Sequence, residues 1–360
     1  MNNFNVGIVG ATGMVGQRFI TLLEDHPWFN IVVLAASPRS AGKKYKDIMG
    51  DRWAMSSPIP EFIGEMMVED ASNVDKIAAM VDFIFCAVDM DKQAIKDLEE
   101  AYAKAEVPVV SNNSAHRTTP DVPMVIPEIN PEHLEVIAAQ RKRLGVSRGF
   151  IAVKPNCSIQ SYVPVFQALK EYGPKEAVIC TYQAISGAGK TFESWPEMVD
   201  NVIPYIGGEE EKSEQEPLKI WGQVKDGIIV KAALPLISAQ CIRVAALDGH
   251  MAAVSVRFDK KPTIDEMIQK LNSYEGRPQT LKLPSAPKQF IKYMIEDNRP
   301  QTRLDRDYEN GMGICVGRLR EDHIYDYKFV ALSHNTVRGA AGGAVLIAEL
   351  LAADHYITKK

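Results

Sequence analysis

An α/β protein is predicted, with a doubly wound parallel sheet in its first half and an α+β second half built on a largely antiparallel sheet. Three observations predict it. Apolar runs alternate with helical patterns from Asn5 to Val110, a glycine-rich turn joins the first run to the first helix, and after Cys157 long apolar or alternating segments follow one another with few helices between. At 360 residues the chain exceeds what one hydrophobic core usually serves, so two domains are expected. We place the first at 1–150, completed by a C-terminal helix at 337–360, and the second at 151–336.

The first run, Asn5-Val6-Gly7-Ile8-Val9, leads into Gly10-Ala11-Thr12-Gly13-Met14-Val15-Gly16, and Gln17 to Glu24 has helical periodicity. Strand, glycine turn and helix in that order form a variant of the dinucleotide fingerprint, in which glycines let the backbone approach a pyrophosphate on the helix N-terminus. A merely tight turn is the plainer alternative. The second strand, Ile31 to Ala36, ends where an NAD site usually carries a carboxylate for the ribose 2′-hydroxyl. Here the chain runs Ser37-Pro38-Arg39-Ser40 and then Lys43-Lys44, so hydroxyls and cations favour NADP over NAD, against the alternative of a solvated basic loop. Asp82 to Val88 is expected as a buried strand, Lys92 to Lys104 as an amphipathic helix and Val107 to Val110 as the next strand. The segment Ser111-Asn112-Asn113-Ser114-Ala115-His116-Arg117 follows a strand end, which puts Arg117 where it can meet an anion unless it is an ordinary surface arginine.

In Lys154-Pro155-Asn156-Cys157-Ser158, one cysteine stands where the apolar run Phe150 to Val153 stops and a helix over Ser158 to Tyr172 begins. Pro164 means that this helix is either kinked or begins properly only near that residue. A helix N-terminus favours a thiolate, the nucleophilic form of cysteine, and its N–H groups suit an oxyanion. A buried, inert cysteine is the alternative. Ala177 to Ile185, Gly227 to Ala233, His250 to Phe258, Ile314 to Leu319 and Tyr325 to Ser333 are expected as strands of the second sheet, with Glu209-Glu210-Glu211 a solvated stretch leading to a helix through Lys219. His250, after glycine at the head of a strand, is the histidine best set to serve the cysteine.

The bulk properties exclude several classes. Hydrophobic residues at 46% and charged residues at 24% are those of an ordinary globular enzyme-sized protein, and a net charge of -5 without a basic run suggests neither nucleic acid nor an anionic membrane as partner. The opening residues carry no basic region, and the longest apolar stretch, Gly339 to Leu351, is broken by Glu349, so neither a secretory leader nor a membrane span is expected. Five dispersed cysteines without a C-x-x-C pair argue for a reducing, cytoplasmic compartment and against a metal site.

Taken together, the glycine turn Gly10 to Gly16, Pro155-Asn156-Cys157-Ser158, Thr181-Tyr182-Gln183-Ala184-Ile185-Ser186-Gly187-Ala188-Gly189, Arg243 seven residues before His250, and Ser333-His334-Asn335-Thr336-Val337-Arg338-Gly339 closely resemble the aspartate-β-semialdehyde dehydrogenase family, in its archaeal and fungal branch, over essentially the full length. The resemblance implies reversible, phosphate-dependent oxidation of an aldehyde to an acyl phosphate, running physiologically as reduction in lysine, threonine and methionine biosynthesis. It implies that Cys157, in its Asn156 context, attacks the aldehyde, that hydride passes to NADP, and that phosphate releases the acyl-thioester. His250 matches the acid/base residue, Gln183 a substrate-orienting residue, Arg243 the clamp on the substrate carboxylate, Glu216 the contact to its amino group, and Arg117 with Lys219 the phosphate site. Cofactor contacts are expected from Gly10, Thr12, Gly13, Met14 and Val15, from Ser37, Arg39 and Ser40, and from Cys86, Ser186, Gly187, Asn335 and Thr336. A homodimer or homotetramer is implied. Reductases of N-acetylglutamyl phosphate or malonyl-CoA share this architecture and cysteine, and a non-catalytic NADP-binding sensor is the reading from another class.

Overall fold

Close packing at the glycine-rich turn sets the geometry of the first half. The computed structural model describes residues 3–360. Strand β1 (Phe4–Val9) runs into Gly10, whose φ of 95° L side chains rarely adopt, and helix α1 (Met14–Leu23) follows. A Cβ on Gly10 would strike the Ala87 carbonyl and one on Gly16 the Gly10 carbonyl, so the helix sits against the strand only because both positions are glycine. Strands β2 (Phe29–Ala36), β3 (Val68–Asp70), β4 (Phe83–Cys86), β5 (Pro108–Ser111) and β6 (Phe150–Val153) complete a six-stranded sheet in the order β3-β2-β1-β4-β5-β6. Every pairing is parallel. The order reverses between β1 and β4, which opens a crevice at the strand carboxyl ends. Helix α2 (Lys92–Lys104) begins where Asp91 accepts from the Gln93 and Ala94 N–H groups. β6 pairs with β5, so Phe150 to Val153, at the expected division, belong to a strand of the first sheet.

The segment after Cys157 differs from expectation. Ser158–Ser161 is one tight 3₁₀ turn, and α3 (Val163–Ala168) starts with Pro164 in its first turn, where a missing N–H costs nothing. The second sheet uses β7 (Pro174–Gln183), β8 (Val202–Ile203), β11 (Leu236–Val244), β12 (His250–Phe258), β13 (Ile291–Met294), β14 (Ile314–Glu321) and β15 (Tyr327–Ser333), in the order β13-β14-β15-β12-β7-β11-β8. It is mixed rather than purely antiparallel, since β7 with β11 and β13 with β14 run parallel. The run at Gly227 to Ala233 lies outside it, in a separate short ribbon of β9 (Gln223–Lys225) and β10 (Ile228–Val230). Glu209-Glu210-Glu211 does not lead to a helix but forms the first turn of α4 (Glu209–Ile220), with Glu209 buried.

The expected C-terminal helix divides in two. Val337–Ala341 is a wide irregular turn, broken at Ala340, and α5 (Gly342–Ala353) follows, buried on nearly all sides. Ala344 to Leu351 pack in one cluster with Phe4, Val6, Ile8, Phe19 and Ile20, so this helix returns to the first sheet. Arg338 locks the return. Its guanidinium donates two parallel hydrogen bonds to Glu128, at 2.7 and 2.5 Å, and stacks 4.5 Å over the Phe290 ring. Both charged side chains are buried, so neither has water as a substitute. We expect Arg338→Met to cost about 3–5 kcal/mol by leaving the Glu128 carboxylate unpaired. Denaturant unfolding measures this, and Glu128→Gln combined with it should recover part of the loss.

Candidate active site

Register brings four strand ends to one edge of the second sheet. Gln183 ends β7 beside Arg243 of β11, and His250 opens β12 opposite Ser333, the end of β15. A cavity of about 400 Å³ lies beyond this edge, lined among others by Met14, Val15, Asn112, Arg117, Asn156, Cys157, Ser186, Gly187, Glu209, Lys212, Asn335 and Thr336. It therefore joins the carboxyl ends of the first sheet to the functional edge of the second.

Cys157 caps the 3₁₀ turn, not an α-helix, so the expected helix dipole is absent there. The N–H of Ser158 is already taken by the Asn156 side-chain oxygen at 2.7 Å. Burial pushes the Cys157 thiol up, with Glu209 adding to the rise and Lys154, Arg117 and Arg243 opposing it. A thiolate at this position depends on those cations rather than on a helix terminus.

His250 is fully buried, and its Nδ1 accepts from the Ala184 N–H at 3.1 Å. In the neutral ring the proton then sits on Nε2, which has no hydrogen-bond partner among the described residues. An imidazole with a free, buried N–H is a donor waiting for an oxygen. Burial and the nearby Arg243 and His334 hold its pKa well below the ordinary 6.5, so the ring is neutral near pH 7. Gly187 keeps that space open, because a Cβ there would sit 3.0 Å from Arg243 Nη1 and from His250 Cε1 and Nε2. Arg243 is buried and donates to the Ala184 carbonyl at 2.7 Å, yet no carboxylate lies within ion-pair reach among the described residues. A buried guanidinium without a counter-ion invites an anion.

Asn156 and Gln183 converge on a residue outside the expected set. Asn156 Nδ2 donates to both Glu209 oxygens at 3.1 and 3.0 Å, and Gln183 Nε2 reaches one of them at 3.4 Å. Lys212, one turn on and partly exposed, pairs with Glu209 at 2.8 Å. By contrast, both oxygens of Glu216 are engaged, with Arg117 at 2.9 Å and the Asn156 N–H at 2.6 Å, and it does not line the cavity with Cys157. Lys219 fares likewise: its ammonium donates to the carbonyls of Arg117, Thr119 and Val122 at 2.8, 2.8 and 2.9 Å, which uses all three protons. Arg117 reaches the cavity but is pinned by Lys154 O, Glu216 and Asn112 O. Glu209 and Lys212 thus line the Cys157 cavity, whereas Glu216 and Lys219 line an adjoining pocket that shares Arg117 and Lys212 with it.

Residues 5–137 match the family model described as semialdehyde dehydrogenase, NAD binding domain, and residues 164–338 the one described as semialdehyde dehydrogenase, dimerisation domain. An aspartate-semialdehyde dehydrogenase of Schizosaccharomyces pombe is 45% identical over 352 residues, covering 96% of this chain and 97% of that protein. The chain belongs to the aspartate-semialdehyde dehydrogenase family. A second family member, from Methanothermobacter thermautotrophicus, is 42% identical over 353 residues, 96% of this chain and 98% of its own. Among solved structures, the Candida albicans aspartate semialdehyde dehydrogenase with NADP superposes with a TM-score of 0.89 at 39% identity, covering 99% of this chain and all of that one.

The cofactor residues expected from the family resemblance divide into two groups. Met14, Val15, Ser186, Gly187, Asn335 and Thr336 line the cavity. Asn335 is itself held rigidly, since Nδ2 donates to Ser186 Oγ at 2.8 Å and Oδ1 accepts from the Gly249 N–H at 2.8 Å. Gly10, Thr12 and Gly13 form the turn leading to it, and Ser37, Arg39 and Ser40 stand in the solvent-facing turn after β2. These placements suit a dinucleotide laid from the β2 end to the Cys157 cavity. Cys86 is the exception: it is fully buried beneath the Asn113 side chain and does not line the cavity.

His250 generates a pH expectation. Its folded pKa lies below the unfolded value, so the unfolded chain takes up the extra proton as pH falls, and stability present above about pH 6.5 is lost below it. This one ring contributes a slope of about 1.4 kcal/mol per pH unit in that window. Chemical denaturation from pH 7.5 to 5 should therefore show a shallower slope in His250→Asn than in the parent chain.

Proposed function

We propose that the protein is an NADP-dependent, phosphate-dependent aspartate-semialdehyde dehydrogenase that interconverts L-aspartate 4-semialdehyde and 4-aspartyl phosphate through a thioester on Cys157, operating physiologically in the reductive direction in the cytoplasm. The observation that supports the reading is a cavity lined by Cys157 and Gly187, behind which the free Nε2–H of His250 and the Arg243 guanidinium, without a counter-ion among the described residues, each lie 3.0 Å from where a Gly187 Cβ would stand. In the oxidative direction the Cys157 thiolate adds to the aldehyde carbon, and His250 Nε2–H donates to the oxygen that gains charge. The nicotinamide supplies the acceptor for the hydride. Cys157 then keeps the acyl group activated until phosphate oxygen attacks it and the sulfur leaves as thiolate.

Arg243 suits the substrate α-carboxylate, because a fork of N–H donors matches a planar anion. A substrate pinned there has its aldehyde within reach of Cys157. Glu209, a buried carboxylate held by Asn156 and Gln183, suits the α-ammonium, and its pKa is held low by Lys212, Asn156 and Gln183 against the effect of burial. Lys212 and Arg117 remain for phosphate. A free α-ammonium for Glu209 favours this substrate over malonyl-CoA, which has none, and over an N-acetylated acyl phosphate, whose blocked nitrogen carries no charge. We further infer that the first sheet with α5 holds the cofactor and that the second half mediates homo-oligomerisation. The outward side chains Val178, Tyr182 and Leu236 of β7 and β11 give it an apolar exposed face.

The deciding measurement is NADPH formation from aspartate semialdehyde with and without phosphate, expected only with it. Arg243→Lys keeps the charge but loses the fork and should lower kcat/KM about a hundredfold, the equivalent of about 2–3 kcal/mol. An unchanged kcat/KM in a variant that melts early would make Arg243 structural. The two lysines of α4 should separate cleanly. Lys212→Met is expected to raise the KM for phosphate by roughly 10–100-fold with an unchanged melting temperature. Lys219→Met, which strands three buried carbonyls, should instead lower stability by roughly 3 kcal/mol.

A further inference from the structure

A carboxyl interrupts the inner stripe of α2. Ile95, Glu99, Tyr102 and Ala103 are the buried residues of this helix, and Glu99 is fully buried. Its contacts are a hydroxyl and an amide rather than a cation, and its Oε2 has no partner among the described residues. Such a group adds nothing to packing, since an apolar side chain of similar volume fills the same space without the cost of desolvation.

The other oxygen, Oε1, fixes the polarity of the chain after β5. Ser111, the last residue of β5, gives its hydroxyl proton to Oε1, while its own oxygen accepts from the Asn113 N–H at 3.0 Å. Oε1 is therefore an acceptor in either ionisation state, because a proton taken up by the carboxyl goes to Oε2. The Asn113 side-chain atom 2.9 Å from Oε1 is then the amide nitrogen and not the oxygen. Its second proton goes to the sulfur of Cys86, the last residue of β4, at 3.4 Å. With both amide protons turned inward, Oδ1 is the atom that half-buried Asn113 has left for the Cys157 cavity it lines. The opposite orientation would set Oδ1 against Oε1, an acceptor against an acceptor.

An acceptor held at a cavity wall calls for a donor on the ligand. Hydride leaves the carbon that Cys157 attacks, so the nicotinamide half of the dinucleotide is the part this cavity takes, and the adenosine half belongs to the turn after β2. We propose that Asn113 Oδ1 accepts a hydrogen bond from the nicotinamide nucleotide, from a ribose hydroxyl or the carboxamide N–H, and that Glu99 is the positioning residue that keeps this oxygen turned to the cavity. Glu99 acts through Asn113 and touches neither cofactor nor substrate. Cys86 takes part in the same indirect way, by accepting the other amide proton, although it does not line the cavity.

This rests on the nicotinamide half lying beside Cys157, and the test separates the two claims. Calorimetry measures the Kd of NADP and of adenosine 2′,5′-bisphosphate, which carries only the adenosine end, for the parent chain, Asn113→Ala, Glu99→Met and Glu99→Gln. Asn113→Ala and Glu99→Met should each weaken NADP about tenfold and leave the bisphosphate unchanged. Glu99→Gln keeps an oxygen for Ser111 and Asn113 and should bind NADP as the parent does. The double variant should bind no more weakly than Asn113→Ala alone, because the loss at Glu99 is felt only through Asn113. The acetylpyridine analogue of NADP lacks the carboxamide N–H: a loss in Asn113→Ala that persists with it assigns the donor to the ribose, and one that disappears assigns it to the carboxamide. Unchanged NADP binding in Asn113→Ala overturns the proposal, as do additive losses in the double variant or equal weakening of the bisphosphate. If Glu99→Met fails to fold, Asn113→Ala decides the contact, and a Glu99→Gln that binds NADP about tenfold more weakly than the parent overturns the positioning role. Iodoacetamide labelling of Cys157 at the same rate with and without NADP would instead remove the reading on which the contact depends.

Discussion

One buried carboxylate ties together the parts that make the site. Glu216 accepts from the Arg117 guanidinium and from the backbone N–H of Asn156, so α4 of the second half holds both the loop after β5 and the loop that presents Cys157. The Arg117 guanidinium carries the link onward to the carbonyls of Lys154 and Asn112. Loss of the carboxylate would leave the buried Asn156 amide unpaired and deprive the Arg117 guanidinium of its only anionic partner among the described residues. The position of the nucleophile is thus set by a residue that does not line its cavity.

Much of the first half was legible because its signals are local. A strand, three glycines and a helix must be adjacent to function, and β1, β2, β4, β5 and α2 lie within a few residues of their expected bounds. Three-residue β3 has too little pattern to register, and β6 was cut by a boundary drawn where its apolar run meets the change in sequence character. In the second half the strands were legible but not their directions, since alternation of side chains says nothing about the neighbour a strand chooses.

The site shows the same limit at finer scale. Cys157, His250, Arg243 and Gln183 stood out by local context or motif, whereas α4 offered two equivalent pairs. Its sequence repeats a Glu-x-x-Lys spacing, Glu209 with Lys212 and Glu216 with Lys219. Seven residues make close to two full turns, so both pairs lie on one face about 10 Å apart along the axis, and pattern alone cannot say which reaches the cavity. Their contacts differ: Glu216 and Lys219 are engaged by Arg117, the Asn156 N–H and three carbonyls, and Glu209 with Lys212 lines the Cys157 cavity. The acidic run concealed this, because three consecutive glutamates suggest a solvated face, yet Glu209 is buried.

The return of α5 to the first sheet bears on how the molecule is made. During synthesis the six strands emerge long before Ala344 to Leu351, which share their core with Phe4, Val6, Ile8 and Phe19. A nascent chain therefore carries an unfinished apolar surface on these strands until Ala344 to Leu351 have been translated. Contacts so far apart in sequence close a very long loop, and such contacts slow folding and leave intermediates sticky. The vectorial order of translation, which lets many dinucleotide-binding units fold as they appear, gives this one no head start.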